Sequence, residues 1–247
     1  MPKTDEYRAA LEGLARWEPY LLDHSGLPGP RGNIELGQAA ADVGTVERFD
    51  AFLRWTPERA PIGSKEEFLA FCGTVGLGKL AAAGSREVLP RLRELASDPR
   101  WRVREAVAMA LQRVGAVDMP ALLREMGSWA KGNDLERRAA AAALCEPALL
   151  GKEKDAVAVL TILDRITADL TRSKDRSGDD FRALRKGLAY CWSVAVSAAP
   201  DRGRELMERW VRSDDPDVRW VMKQNLAKKR IGVVGAGWVA GMTAELE

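Results

Sequence analysis

One carboxylate in the sequence has neighbours that suggest acid–base or electrostatic chemistry. Asp214 follows Trp210 at a Trp-x-x-x-Asp spacing, and base excision requires a carboxylate close to an aromatic cage. Asp214 is therefore the candidate catalytic residue. The segment from Ser213 to Pro216 also has the composition of a turn, so Asp214 and Asp215 are more simply explained as a turn and a helix N-cap.

Aromatic and cationic side chains are the candidates for ligand binding. They are Trp101, Arg104, Trp220, Lys223 and Arg230. Aromatic rings stack on bases and cations contact phosphates, so these residues fit a surface that holds a nucleic-acid backbone. The alternative is structural: each Trp covers a neighbouring helix, because the middle helices of a stack bury more than one face.

Other catalytic chemistry has little support in the sequence. The sequence contains one histidine, His24, which stands beside a Gly/Pro-rich loop. A single histidine excludes zinc sites that are built on several histidines. Residues 231–241 look like a short strand followed by the glycine fingerprint of dinucleotide-binding folds. Only six residues follow them, too few for the rest of that unit. We therefore expect no cofactor and no metal.

The elements that must position these residues recur along the chain. A polar turn leads into a helix with an Arg near its start, most clearly at residues 98–111. The copies align on arginines that are 33, 48 and 34 residues apart: Arg104, Arg137, Arg185 and Arg219. A fixed period in this range is typical of stacked helical solenoids. The long step indicates an insertion, which we place in the polar stretch 171–178.

The pattern Asp-Pro-x-x-x-Val-Arg from Asp98 to Arg104 resembles HEAT-like repeats, and the resemblance extends over about residues 85–230. The last copy, Asp215 to Arg230, resembles the HEAT-like proteins related to DNA alkylation repair. This resemblance implies a right-handed superhelix whose second helices line a concave cleft. In some members that cleft holds a damaged base with Trp, Asp and Arg. It also implies that the repeated Arg braces an Asp of the adjacent turn.

Apolar stripes show which faces of the second helices are buried. In the helix after Pro99 the stripe has helical spacing and consists of Val103, Val107, Ala110, Leu111 and Val114. Trp101 lies about half a turn away from it. In the last repeat Val218, Val221 and Met222 form the buried side, and Trp220 lies opposite. Both tryptophans are therefore predicted to point away from their own stripe.

The sequence predicts four helix pairs after an irregular start. The pairs lie near residues 85–97 and 99–114, 118–131 and 134–149, 153–172 and 178–198, and 201–212 and 216–230. Before them we expect one helix over residues 5–23 and a capping box at Ser64 to Glu67. The predicted organisation is a single α-solenoid domain over 1–247, with irregular N-terminal helices over 1–84, HEAT-like repeats over 85–230 and a C-terminal cap over 231–247.

Composition limits the compartment and the partners. The net charge is +2 with 30% charged residues, so the balance does not by itself indicate a nucleic-acid binder. Three widely spaced cysteines favour reduced thiols, and no apolar run is long enough to span a membrane. We therefore predict a cytoplasmic protein that does not associate with membranes.

The leading functional prediction is a non-enzymatic scaffold that uses its concave face to bind a protein segment or a nucleic-acid backbone. The alternative is a protein similar to the HEAT-like alkylpurine DNA glycosylases, which would bind a damaged DNA duplex there. A glycosylase needs an acidic residue that points into an aromatic cleft, together with a basic track. A protein-binding surface needs neither and tolerates mixed charge or apolar character.

Overall fold

In the computed structural model, which describes residues 3–247, every regular element is a helix and this part of the chain contains no strand. The predicted fold class, an all-α solenoid of helix pairs, is confirmed. Contacts divide the chain into two compact units, Met1–Val117 and Asp118–Glu247. The single domain over residues 1–247 stays a prediction.

The first unit is organised around one helix whose residues from Glu67 to Gly78 are all buried. The helices are α1 (Lys3–Glu12), α2 (Glu18–Asp23), α3 (Ile34–Val43), α4 (Val46–Leu53), α5 (Glu67–Ala82), α6 (Leu89–Leu95) and α7 (Trp101–Val117). The helix α5 packs against α3, α4 and α7. Glycines permit this close approach, since a Cβ on Gly76 would lie 2.2 Å from Phe49 and one on Gly78 would lie 2.4 Å from Ala110.

The start of the chain differs from its sequence prediction. A single helix over residues 5–23 was wrong, because α1 ends at Glu12 and α2 begins only at Glu18. Pro19 explains the break: it has no N–H, and its ring would clash with the carbonyl of residue 15 in a continuous helix. The indole Nε1 of Trp17 instead donates to the carbonyl of Leu11 at 2.8 Å and folds the link inward.

The capping box before α5 is half confirmed. Ser64 Oγ accepts a hydrogen bond from the N–H of Glu67 at 3.2 Å, as the motif predicts. The second bond of the motif, from the backbone N–H of Ser64 to the Glu67 carboxylate, is not formed. Glu67 Oε2 accepts from the N–H of Gly63 at 2.7 Å, and the side chain is fully buried.

The second unit is a regular stack of helix pairs. Its helices are α8 (Met119–Trp129), α9 (Asp134–Leu144), α10 (Glu153–Thr171), α11 (Asp179–Ala198), α12 (Pro200–Val211), α13 (Pro216–Leu226) and α14 (Ala236–Ala244). The first helices of the pairs lie side by side in the order α8, α10, α12, and the second helices in the order α9, α11, α13. We call these the first-helix layer and the second-helix layer. Together with α6 and α7, these pairs confirm the four that the sequence predicts.

The long step between repeats arises mainly from helix length. The helices α10 and α11 have 19 and 20 residues, against 11 each in α8 and α9. The loop between them is fixed by Arg176, which donates to the carbonyl of Thr171 at 2.8 Å and to Asp215 Oδ2 at 2.6 Å. The extra residues therefore extend the pair and attach it to the next repeat.

A buried amide connects α11 to α13. Asn225 has no exposed surface. Its Oδ1 accepts from the N–H of Ser193 at 2.7 Å, and its Nδ2 donates to the carbonyls of Leu188 at 2.9 Å and Val221 at 2.8 Å. All of the polar atoms of this side chain are therefore satisfied inside the second-helix layer.

The glycine-rich C-terminus is helical. The strand-like appearance of residues 231–241 was misleading, because Lys229–Val234 form a 3₁₀ helix that leads into α14. Trp238 Nε1 donates to Glu208 at 2.7 Å and Arg212 Nε to Glu245 at 2.9 Å. The first bond joins α14 to α12, and the second joins the residues that follow these two helices. The predicted role of the segment as a cap stays a prediction.

Candidate binding surface

In the first unit, the predicted site residues lie at the start of α7. Trp101 is 41% exposed, which agrees with its predicted outward direction, and the guanidinium of Arg102 lies 4.3 Å from its ring centroid. Arg104 turns back on its own loop, where Nη1 donates to the carbonyls of Asp98 at 2.6 Å and Pro99 at 3.1 Å. Arg104 therefore closes the turn before α7.

Arg102 has a second role that the sequence did not reveal. Its Nη1 lies 3.1 Å from Oε2 of the fully buried Glu67, and its Nη2 donates to the carbonyl of Gly29 at 2.7 Å. The pair joins α7 to α5 and to the Gly/Pro-rich loop, across 35 and 73 residues. In the described part of the chain, Glu67 Oε1 and Arg102 Nε have no hydrogen-bond partner.

In the second unit, a cation covers each of two aromatic rings of the second-helix layer. Arg185 of α11 lies 4.2 Å from the ring centroid of Trp220 in α13 and is ion-paired with Asp217. Arg230 lies 4.5 Å from the ring centroid of Tyr190 and donates from Nη2 to the phenol oxygen at 3.0 Å. Each ring therefore has one face occupied by a guanidinium.

Tyr190 was not among the sequence candidates, although it is 41% exposed. It lies two helical turns after Arg182 and one after Lys186 along α11. This i, i+4, i+8 spacing places the three residues on one face of the helix. The spacing was readable in the sequence, but only the structure shows that the face is exposed.

An apolar cavity of about 460 Å³ opens beside Arg230. Its other lining residues are Pro147, Leu150, Val194, Ser197 and Ala198. Most of this wall is hydrocarbon, with a hydroxyl and a guanidinium at its polar side. The arrangement suits an apolar side chain that carries, or lies next to, an acceptor group.

Most charges on the second-helix layer are already paired. Arg182 lies 2.9 Å from Asp179, Arg185 is paired with Asp217, and Arg176 is paired with both Asp215 and Asp217. Lys186 and Lys223 are exposed and make no ion pair within residues 3–247. The surface therefore has mixed charge.

One comparison with known proteins identifies the repeat. Residues 76–146, which include α6 to α9 and the end of α5, match a family model described as HEAT repeats. Residues 76–146 therefore carry the HEAT-repeat pattern. No curated protein matches it, and the finer resemblance to HEAT-like proteins related to DNA alkylation repair stays a prediction.

The repeated arginine braces the helix pairs in two ways. Arg137 lies 3.1 Å from Asp134 and 3.9 Å from Asp169, and Arg185 is paired with Asp217. Arg219 donates instead to carbonyls, that of Val211 at 3.1 Å and that of Glu245 at 3.0 Å, and Arg104 behaves similarly. Bracing of an Asp therefore holds for Arg137 and Arg185, and Arg104 and Arg219 both donate to backbone carbonyls.

The indole of Trp210 does not use Asp214 as its hydrogen-bond acceptor. The indole Nε1 of Trp210 donates to Asp164 at 2.8 Å, whereas Asp214 is exposed and makes no hydrogen bond within residues 3–247. Asp215 caps α13, where it accepts from the N–H groups of Asp217 at 3.0 Å and Val218 at 3.2 Å. Burial opposes ionisation of Asp215, but Arg176 and these N–H groups together lower its pKa.

Residues 3–247 contain no group of three or more His, Cys, Asp or Glu side chains that could hold a metal ion. His24 stacks on Tyr20 with ring centroids 4.1 Å apart. Within the same residues no helix is long and apolar enough to cross a membrane.

Proposed function

We propose that this HEAT-repeat protein is a non-enzymatic scaffold and that its second-helix layer binds a protein segment. The apolar cavity beside Arg230 and Tyr190 carries the proposal. An apolar side chain of the partner would enter this cavity, and a carboxylate or carbonyl next to it would accept from Arg230. Buried apolar anchors of this kind, surrounded by polar contacts, are where protein interfaces concentrate their binding energy.

The charges of the same layer favour a protein over a nucleic-acid backbone. A backbone ligand is held mainly by cations that neutralise its phosphates. Here Arg176, Arg182 and Arg185 are neutralised by carboxylates, while Lys186 and Lys223 have no ion-pair partner within residues 3–247. The rings of Trp220 and Tyr190 also have one face covered, which reduces their capacity to stack on bases.

The proposal is tested with a peptide selected against the purified protein from a random library. Its affinity is measured by fluorescence anisotropy for the wild type, Arg230→Ala and Ala198→Leu, the last of which narrows the cavity. We expect both variants to weaken binding about tenfold or more, because each removes part of the central anchor site. Lys154→Ala, an exposed site on α10, is the matched control and should leave the affinity unchanged.

A labelled DNA duplex, either intact or with an abasic or alkylated site, is measured in parallel at two salt concentrations. Salt-sensitive binding that Trp220→Ala and Lys223→Ala weaken would refute the protein-segment proposal in favour of a nucleic-acid backbone. If the protein releases the alkylated base and Asp214→Asn abolishes that release, the alternative, a glycosylase, is established. If Ala198→Leu does not change the affinity for the peptide, the peptide binds outside the cavity beside Arg230.

A further inference from the structure

A second groove lies in the first-helix layer, between α8 and α10. Its volume is about 630 Å³, and it is open along one side of both helices. The lining residues of α8 extend from Leu123 to Ser128, and Lys131 follows just after the end of this helix. Those of α10 recur at helical spacing from Ala158 to Arg165. The groove therefore runs along two facing helix sides and belongs to neither the cavity beside Arg230 nor the aromatic rings of the other layer.

The floor of the groove is apolar, and a glycine in the floor makes the groove deeper. Leu123, Ala158 and Ile162 supply the hydrocarbon surface, and Gly127 lies between them. A Cβ on Gly127 would meet no atom within 4 Å. Glycine inside a helix is about 1 kcal/mol less favourable than alanine, and packing does not require glycine at this position. What its absent side chain provides is open space.

The rim of the groove is cationic and unneutralised. Arg124, Lys131 and Arg165 are all exposed, and no carboxylate lines the groove. Within residues 3–247 none of the three makes an ion pair, in contrast to the paired arginines of the second-helix layer.

Nearby carboxylates on the same two helices are already engaged. Glu125 accepts from the indole of Trp129 at 2.8 Å, and Asp164 accepts from Trp210 at 2.8 Å and from Arg209. The positive charge of the rim is therefore available to a partner.

We propose that this groove binds an acidic, amphipathic peptide segment of a partner protein. Its carboxylates would pair with Arg124, Lys131 and Arg165, and one or two large apolar side chains would lie on the floor around Gly127. On α10 the lining residues run from Ala158 to Arg165, a rise of about 10 Å, which matches two turns of a bound helix. The apolar floor favours a peptide over a phosphate polymer, which has no apolar side chain to place there.

The probe is a fluorescein-labelled 14-residue peptide with Leu at positions i, i+3, i+4 and i+7 and Glu on the flanking positions. A peptide with Gln in place of Glu, a peptide with Ala in place of Leu, and a labelled single-stranded DNA of 14 nucleotides are measured beside it. Affinity is followed by anisotropy, and the site by chemical-shift changes of backbone amides. We expect saturable binding of the first peptide only, with a Kd below about 1 mM.

Two protein variants test the floor and the rim separately. Gly127→Leu places a side chain in the open space, where a Cβ would meet no atom within 4 Å, and should weaken binding about tenfold or more. The double variant Arg124→Gln with Arg165→Gln should weaken it by about two- to fivefold for each cation. Gly241→Leu in α14, where a Cβ would also meet nothing within 4 Å, and Lys154→Gln are the matched controls and should have no effect.

Several results would overturn the proposal. These are equal binding of the Glu and Gln peptides, binding that Gly127→Leu does not change, or preferential binding of the single-stranded DNA. Absence of saturation up to about 1 mM would do the same. Because the groove lies in the first-helix layer, Ala198→Leu and Arg230→Ala should leave this binding intact, so this proposal and that for the second-helix layer can fail independently.

Discussion

Asn225 allows a direct test of how successive repeats are held together. Replacing it by Ala removes three hydrogen bonds to α11 and α13, of 2.7, 2.9 and 2.8 Å, from a side chain with no exposed surface. Each such bond contributes about 1 kcal/mol net. We therefore expect Asn225→Ala to lower the free energy of unfolding by about 3 kcal/mol, a large share of the 5–15 kcal/mol that is typical of folded domains.

The measurement is urea unfolding followed by circular dichroism at 222 nm, with the slope of the transition compared between variants. Gln224→Ala is the matched control, because this half-buried neighbour makes no side-chain hydrogen bond within residues 3–247. Its effect should stay within about 0.5 kcal/mol. An equal effect of the two substitutions would refute the reasoning.

Asn225→Asp tests the orientation of the amide. The introduced carboxylate can still accept from Ser193, but its other oxygen would face the carbonyls of Leu188 and Val221. At pH 7 we expect this variant to be at least as destabilised as Asn225→Ala. The deficit should shrink as the pH falls, because a protonated carboxyl can donate. Wild-type stability of this variant at pH 7 would show that the amide does not donate to the two carbonyls.

Three further predictions concern the core and one helix cap. Arg102→Met should cost about 3 kcal/mol or more, because it leaves the carboxylate of Glu67 buried and unpaired, and adding Glu67→Gln should recover part of that loss. Gly76→Ala should cost about 1–3 kcal/mol, since its Cβ would lie 2.2 Å from Phe49. Asp215→Asn should cost about 1–2 kcal/mol at pH 7 by removing charge from the cap and its ion pair. All three are measured by urea unfolding.

Each of these predictions has its own refuting outcome. If the double variant at the buried ion pair is as unstable as Arg102→Met alone, an uncompensated charge is not the cause. Gly127→Ala is the control for Gly76→Ala and should stabilise the protein by about 0.5–1 kcal/mol, because its Cβ has free space. If both substitutions destabilise the protein, the clash with Phe49 is not the cause of the loss at Gly76.

For Asp215 the sign follows from its lowered pKa. A carboxylate whose pKa is lower in the folded state stabilises the fold above the pKa of the unfolded state. It loses that contribution as the pH falls through the pKa of the folded state. The difference between the wild type and Asp215→Asn should therefore disappear at low pH. A difference that persists unchanged there would refute the electrostatic explanation.

Local signals determined the pairing of helices. The polar turns and the apolar stripes at helical spacing predicted the four pairs, and the buried residues Val103, Val107, Val218 and Met222 confirm the predicted faces. The N-cap at Asp215 was likewise readable, because a cap involves atoms only two or three residues apart. Short-range geometry of this kind is repeated wherever the same residues recur.

The candidate site was predictable only in part. The sequence indicated that Trp101 points outward, but not that Arg185 covers Trp220 or that Arg230 covers Tyr190. These contacts join residues 35 and 40 positions apart, and they form only where α11 packs against α13 and the 3₁₀ helix after it. The lengths of α10 and α11 were not predicted either. Since an insertion can lengthen either a loop or a helix, the spacing of the repeats alone did not distinguish the two.

The sequence by itself determined that this chain forms stacked helix pairs and which side of each pair is buried, because helix periodicity and capping act within a few residues. Only the tertiary structure decided which polar groups meet in the interior and which cations remain without a partner. Glu67 and Arg102 form an ion pair although they are 35 residues apart in the sequence. In contrast, Arg124, Lys131 and Arg165 make no ion pair within residues 3–247 and surround an open groove. Ion pairing depends on distances of a few ångströms between helices, and these distances are fixed when the layers pack.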